Sequence, residues 1–349
     1  MPHSGLLLNT TQDQPQTGNR PDASVIVISY NTRRVLRQCL ETVGRDAGPA
    51  ESNGVRFETL VVDNGSRDGS PEMVESQFPW VRLIQTGANL GFAAANNRAL
   101  PLAQGRYLIL LNSDAFCEPG AIERAIAHMD ADPGIGLGGG RLIGKDDSWQ
   151  PSARLFPSLF NDFASLSGLA HRYRKSRLWG RADRTWADLL EPTEADWVPG
   201  AFSIIRREAL QKAGAFDESF FLYYEEVDLC RRIKAAGYRI HYWPDVVIVH
   251  LGGESSKSLG NQVRSRSGAQ LTLWRLRSGF LYYRKHHGYK ALLAGLLELV
   301  WHSARALRNG LSSDPRRQEK AAESRALIRL LAEAWKETRG GRVSPPRPW

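Results

Sequence analysis

The feature that most constrains this chain is a regular alternation of short apolar runs with helix-forming stretches over residues 24–129. SVIVISY (24–30), FETLVVD (57–63), VRLIQT (81–86) and RYLILLN (106–112) read as strands. Helices are expected over Thr32–Val43, Pro71–Gln77, Ala93–Ala103 and Pro119–Met129. A run such as Leu108–Leu111 is apolar at every position, which suits a strand covered on both faces. Strands separated by helices of this length imply an α/β fold with a parallel sheet and crossover helices. Ligands of such sheets bind outside the carboxyl ends of the strands. Asn31, Asp63, Asn89 and Asp114 all lie at or just beyond such ends. GIGLGG (134–139) satisfies the G-x-G-x-x-G pattern, but it follows a helix and opens none. It therefore predicts tight backbone packing or a bend rather than a dinucleotide site.

The remainder is less regular. WVPGAFSIIRREAL (197–210) reads as a strand turning into a helix, and RIHYW and VVIVH as two short strands. The basic stretch 171–184 reads as a solvated surface loop. From about Gln262 the chain is helical, aromatic and basic. There Leu293, Leu296, Leu297, Val300, Trp301, Ala304 and Leu307 share one face, and Glu298, His302, Arg305 and Asn309 the other. Such a helix packs its apolar face on its own domain or a partner, or lies on an anionic membrane. Residues 1–22 are polar and expected to be disordered, and 340–349 to form a loose tail. With 349 residues the chain suffices for one large domain or two modest ones. A net charge of +9 calls for an anionic partner: nucleic acid, lipid or a phosphorylated substrate. Basic residues are not interleaved with aromatics on any sheet face, which argues against nucleic acid. Cys39, Cys117 and Cys230 are odd in number and far apart, which fits a reducing compartment. No apolar stretch reaches the roughly 18 residues of a membrane span, and no secretory signal is evident, so a soluble or peripheral protein is expected.

Four clusters carry chemistry. Asp63 precedes a Gly-rich turn, where it can form an Asx turn or accept from a nucleobase N–H or ribose hydroxyl. Asn112-Ser113-Asp114 offers hard oxygen ligands, suited to Mg2+ or Mn2+ when a nucleotide diphosphate completes the shell. Glu225, Glu226 and Asp228 crowd one helix N-terminus. Acids there complement the helix dipole, and beside apolar rings a carboxylate of raised pKa can act as a general base. His250 ends a strand, as a structural residue or a metal ligand.

SVIVISYN, VVDNGSRDGS, NLGFAAANN, LLNSDAF, VPGAFSIIRREAL, FDESFFLYYEEVDLCRRIKAAGY and VVIVHLGG occur in that order. Together they resemble the inverting family-2 glycosyltransferases of GT-A fold, in particular the rhamnosyltransferase-like branch of bacterial surface-polysaccharide assembly. The resemblance implies a single GT-A-type catalytic domain over 23–262, with a mainly parallel central sheet flanked by helices. A C-terminal helical extension, basic and amphipathic, would follow over 263–339. By resemblance, Asp63 contacts the nucleotide base, and Asn31, Asn89, Gly91, Asn112 and Ser113 line the nucleotide-sugar site. The family's Asp-x-Asp reads Asn112-Ser113-Asp114 here, so Asp114 is the implied metal acid and His250 a further ligand. The base, an Asp in the family, falls on Glu226, or on Glu225 or Asp228 if the helix begins later. Trp197, Gly200 and Ala201 would shape the acceptor side, Trp197 by offering a ring face to a sugar, with the 136–140 strand supporting that floor. The implied reaction is single-displacement transfer of L-rhamnose from dTDP-rhamnose to a hydroxyl of a polysaccharide or lipid-linked glycan. A catalytically inactive nucleotide-sugar-binding scaffold is the alternative. The implied location is cytoplasmic, peripheral on the inner face of the membrane, with the C-terminal helices binding lipid or forming a homodimer.

Overall fold

In the computed structural model, which describes residues 20–46, 54–252 and 266–345, the first four strands pair in parallel. They are β1 (Ala23–Ser29), β2 (Phe57–Asp63), β3 (Val81–Gln85) and β4 (Tyr107–Asn112), ordered β3-β2-β1-β4. Alternate residues of β1 enter opposite cores: Val25 and Val27 one, Ile26 the other. This period of two is why the run is apolar throughout. The crossover helices are α1 (Arg33–Asp46), α2 (Ser70–Gln77) and α3 (Phe92–Ala99). Helix α3 stops four residues short of Ala103: Leu100 still takes helical angles, but Pro101 has no N–H with which to continue the ladder.

The second half adds antiparallel pairs, giving a ten-stranded mixed sheet among the described residues. After the short β5 (Ala115–Cys117) and α4 (Ala121–Ala131) comes β6 (Ile135–Ile143). Two short strands, β7 (Trp149–Gln150) and β8 (Thr193–Ala195), lie at the rim, separated by α5 (Leu159–Leu166) and α6 (Leu169–Arg172). Strand β9 (Phe202–Arg206) runs antiparallel between β4 and β6 and feeds α7 (Arg207–Ala213). Helix α8 (Glu225–Ala235) leads into β10 (Arg239–His250), parallel to β6 and antiparallel to β5. The two strands expected near 240 and 248 are thus one, with a register shift between Trp243 and Val247. Pro244, which has no N–H for the ladder, lies in that interruption. The glycines of β6 serve packing, as expected. A methyl group on Gly138 would collide with the Trp243 ring, and one on Gly139 would lie 2.7 Å from Val198 Cβ.

Three long helices follow: α9 (Arg266–His287), α10 (Lys290–Gly310) and α11 (Pro315–Glu337). The expected domain boundary near 262 lies outside the described residues, as do residues 1–19 of the N-terminal segment. Helix α9 is no separate module. Its Leu281, Tyr282 and Tyr283 enter the core, and Ser278 Oγ donates to Leu222 O at 2.8 Å. Helix α11 packs on α9 through Leu331 and Ala334 and an Arg277–Glu337 ion pair. The described part of the expected loose tail, 340–345, is folded back. Gly340 and Gly341 take positive φ, and Ser344 Oγ donates to Ser219 O at 2.8 Å. At the N-terminus, Asp22 N–H donates to Arg56 O at 2.6 Å, so ordered structure begins before residue 23.

Candidate active site

The ends of β1, β2 and β4 converge. Asp63 is buried, and its Oδ2 accepts from the Gly65 and Ser66 N–H groups at 3.2 and 3.0 Å. This is an Asx turn, yet Oδ1 is buried with no hydrogen-bond partner among the described residues. The second oxygen of Asp63 therefore remains available to a donor N–H. Asn31, at φ 53°, latches the same loop: its N–H donates to Ser66 Oγ and its Oδ1 accepts from Arg67 N–H. Asn89 Oδ1 accepts from Asn64 Nδ2 and Gly91 N–H, both at 3.0 Å. Asn64, not singled out from sequence, thereby ties the β2 end to the loop before α3. Gly91 has φ 84°, and a Cβ there would lie 2.7 Å from the Phe221 ring. Asn31, Asn89 and Gly91 thus shape the loops of this rim. Ser113 is buried and accepts from Thr32 Oγ1 at 3.0 Å, and Asn112 N–H donates to Ala201 O.

Strand pairing brings Asp114 and His250 together, since Ala115 sits opposite His250. His250 Nε2 lies 3.4 Å from Asp114 Oδ1. Gln150 sets the imidazole tautomer. Its Nε2 donates to His250 O at 2.8 Å, so its Oε1 faces His250 Nδ1, also at 2.8 Å, as an acceptor. Nδ1 must then carry a proton, and in the neutral ring the Nε2 lone pair is directed at the carboxylate. A carboxylate oxygen and an imidazole lone pair turned toward each other form a donor set suited to a divalent cation, with Gln150 as the orienting partner behind the histidine. Gln150 lies far from both residues in sequence, and nothing in its local pattern marks it.

The acidic turn divides sharply. Tyr223 and Tyr224 both take positive φ, 70° and 69°, a strained pair of non-glycine residues that starts α8. The turn is held from two sides: Phe92 N–H donates to Phe221 O at 2.9 Å, and the Tyr224 ring packs on Tyr282 of α9. Glu225 is buried and Glu226 half-buried, and each has an Oε2 without a partner among the described residues. Burial pushes the Glu225 carboxyl well above the usual range, and the adjacent Glu226 adds to it. Glu226 is also raised by burial, but its own and Val227's N–H groups and the Arg154 guanidinium oppose that rise. Two carboxyls in one desolvated turn resist ionising together, and Glu226 is the better placed to ionise first. A Cβ on Gly200 would lie 4.0 Å from Glu226 Cβ, so Gly200 and Glu226 are neighbours.

Two expectations need correction. Asp228 is fully buried and contacts Arg232, Lys285 and His286 at 2.7–2.8 Å. Against the upward push of burial, these partners hold it at about 2. It is an anchor for α9, with no capacity to take up a proton near neutrality. Trp197 is buried, its Nε1 donates to Leu155 O, and Arg154 lies over its ring at 4.4 Å. It forms floor rather than an open stacking face. Ala201 is likewise buried. Arg154, missed in the sequence because it lies in a weakly patterned segment, links this floor to Glu226.

The family profile described as Glycosyl transferase family 2 matches residues 24–214. Over 284 residues the chain is 30% identical to an N-acetylglucosaminyl-diphospho-decaprenol L-rhamnosyltransferase of Mycobacterium tuberculosis, covering 76% of this chain and 88% of that protein. The structure resembles the mannosyltransferase PcManGT from Pyrobaculum calidifontis in complex with GDP-Man and Mn2+, with a TM-score of 0.56. Identity is 18%, and the match covers 92% of this chain and 89% of that one. GalNAc-T7 with UDP, GalNAc and Mn2+ matches at a TM-score of 0.51 and 15% identity, over 93% of this chain and 59% of that one. At such identities these two structures speak to fold alone.

Proposed function

This chain belongs to glycosyl transferase family 2, and from that premise we propose that it moves L-rhamnose from dTDP-rhamnose to a hydroxyl of a lipid-linked glycan or polysaccharide. The sugar and acceptor class are taken from the name of the M. tuberculosis relative, which specifies L-rhamnose and an N-acetylglucosaminyl-diphospho lipid. The observation that carries the chemical reading is Glu226, whose partnerless Oε2 lies in a desolvated turn beside Gly200. A buried carboxylate oxygen left unpaired destabilises a fold, and an acceptor hydroxyl is the partner that accounts for it.

In this reading Glu226 takes the proton of the acceptor hydroxyl. The acceptor oxygen bonds to the anomeric carbon as the bond from that carbon to the diphosphate oxygen breaks. The nucleoside diphosphate leaves, and the sugar inverts. Glu225, held protonated by burial, keeps a second negative charge out of the turn. Asp63 Oδ1 accepts the ring N–H of the base. Asp114 and His250, oriented by Gln150, are the residues that would hold Mg2+ or Mn2+; bound there, such an ion neutralises charge on a departing diphosphate. Cys39, Cys117 and Cys230 are all buried and outside any disulfide, which supports a cytoplasmic location. No helix among the described residues is long and apolar enough to cross a membrane.

The test is transfer from labelled dTDP-rhamnose to an N-acetylglucosaminyl-diphospho lipid with Mn2+, beside UDP- and GDP-sugars. Product is expected from the dTDP donor. Glu226→Gln should retain dTDP binding and lose at least ~10²-fold in turnover. Near-normal turnover in that variant would remove Glu226 from the role. Binding of dTDP without transfer by the wild type would favour the scaffold reading.

A further inference from the structure

Helix α10 is amphipathic with its faces reversed. The polar face turns inward: Glu298 meets Arg275 at 3.5 Å and His302 at 3.8 Å, and His302 is buried. Arg305 reaches Ser324 Oγ and Glu323 of α11, both at 3.2 Å. The apolar face turns outward. Tyr289, Leu293, Leu296, Val300, Leu307 and Leu311 recur at intervals of three, four and seven residues and form one exposed stripe. Tyr289 is 70% exposed, Val300 65%, Leu307 68% and Leu311 82%. A continuous apolar stripe on a helix held in place by polar contacts marks an interaction surface.

Charge selects the occupant. Lys290 and Arg308 are exposed and lie eighteen residues, or five helical turns, apart, so both fall along one flank of the stripe. Helix α5 packs against α10, and the segment after it carries exposed Arg172, Arg174, Lys175 and Arg177 with exposed Tyr173 and Leu178. Apposing two copies through this face would bring like charges together in a chain of net charge +9. Anionic headgroups are complementary to the basic flank, and acyl chains to the stripe. We propose that the outward face of α10 is a docking surface for anionic lipid bilayers, on which the protein lies with this stripe inserted at the headgroup boundary. On the inward side of the same helix, a cavity of about 280 Å³ lined by Ala294, Glu298 and Tyr224 joins α10 to the turn before Glu225.

The proposal stands apart from the donor and acceptor reading, because it is tested with vesicles that contain no acceptor. Full-length protein is floated with vesicles of phosphatidylcholine alone and of phosphatidylcholine mixed with phosphatidylglycerol. Flotation is expected with the anionic vesicles, weakening as salt rises. The exposed double variant Val300→Ser/Leu307→Ser should lower the bound fraction by about tenfold or more, and Lys290→Glu/Arg308→Glu by about tenfold or more. Both should keep the wild-type unfolding midpoint and dTDP binding. Absence of flotation by the wild type, or flotation unchanged in both variants, overturns the proposal. So does a wild-type dimer that Val300→Ser/Leu307→Ser converts to monomer without changing vesicle binding, which would assign the stripe to a second copy.

Discussion

Glu226 and Asp228 lie on the same helical turn, yet their surroundings drive their protons in opposite directions. Burial with few counter-charges raises Glu226, whereas hydrogen bonds from His286 and Lys285 and the Arg232 guanidinium hold Asp228 at about 2. Asp228→Asn should therefore cost about 3 kcal/mol of unfolding free energy at pH 7, since it strips a buried charge cluster of its anion. The sign follows from linkage: a carboxyl depressed in the folded state stabilises at pH values above its unfolded value and loses that contribution as pH falls toward its folded value. The difference between wild type and variant should accordingly be full above about pH 4 and shrink toward about pH 2. Urea titrations over that range check it, and a constant difference would contradict the pairing. The acidic cluster was legible in the sequence, but its division of labour was not. Lys285 and His286 reach Asp228 from α9, far along the chain.

At the scale of elements, β6 and α10 show what a pattern can and cannot convey. The glycine run of β6 signals close approach, and Trp243 and Val198 are the groups that approach. Gly138→Ala forces a methyl group into the Trp243 ring and should cost about 1–3 kcal/mol, as overpacking of a core does. The urea midpoint should fall with the slope unchanged; an unaltered midpoint would mean that the ring moves freely. For α10 the periodicity identified both faces correctly but not which one points inward. That depended on Arg275 of α9 and on Glu323 and Ser324 of α11, which satisfy the polar face inside.

At the scale of the molecule, the parallel half brings Asp63, Asn31 and Ser113 to one rim, and β5–β10 pairing brings Asp114 to His250. Helix α9 braces the strained turn before Glu225, so fold and acidic turn are one mechanical unit. A nucleotide bound at the rim should stabilise the whole protein. At about 100 times its dissociation constant dTDP adds ~2.7 kcal/mol, a rise in unfolding temperature of several degrees at most for a chain of this size. The rise should need Mn2+, vanish with EDTA, and be smaller with UDP or GDP. Equal shifts with and without the metal would separate the nucleotide site from Asp114 and His250, and no shift with any nucleotide would remove the donor site from this rim.

The sequence by itself determined the family, the α/β architecture, the parallel strands and most residues of the rim. Those features are written in local periodicity and in motifs whose residues are close in the chain, and backbone geometry converts them directly into strands, helices and strand ends. Only the tertiary structure decided that Gln150 orients His250, that Arg154 covers Trp197, that Asp228 is an anchor, and that α10 wears its apolar face outside. Each of those depends on contacts between residues distant in sequence, where burial and the identity of the partner, rather than the residue type, set charge state and exposure.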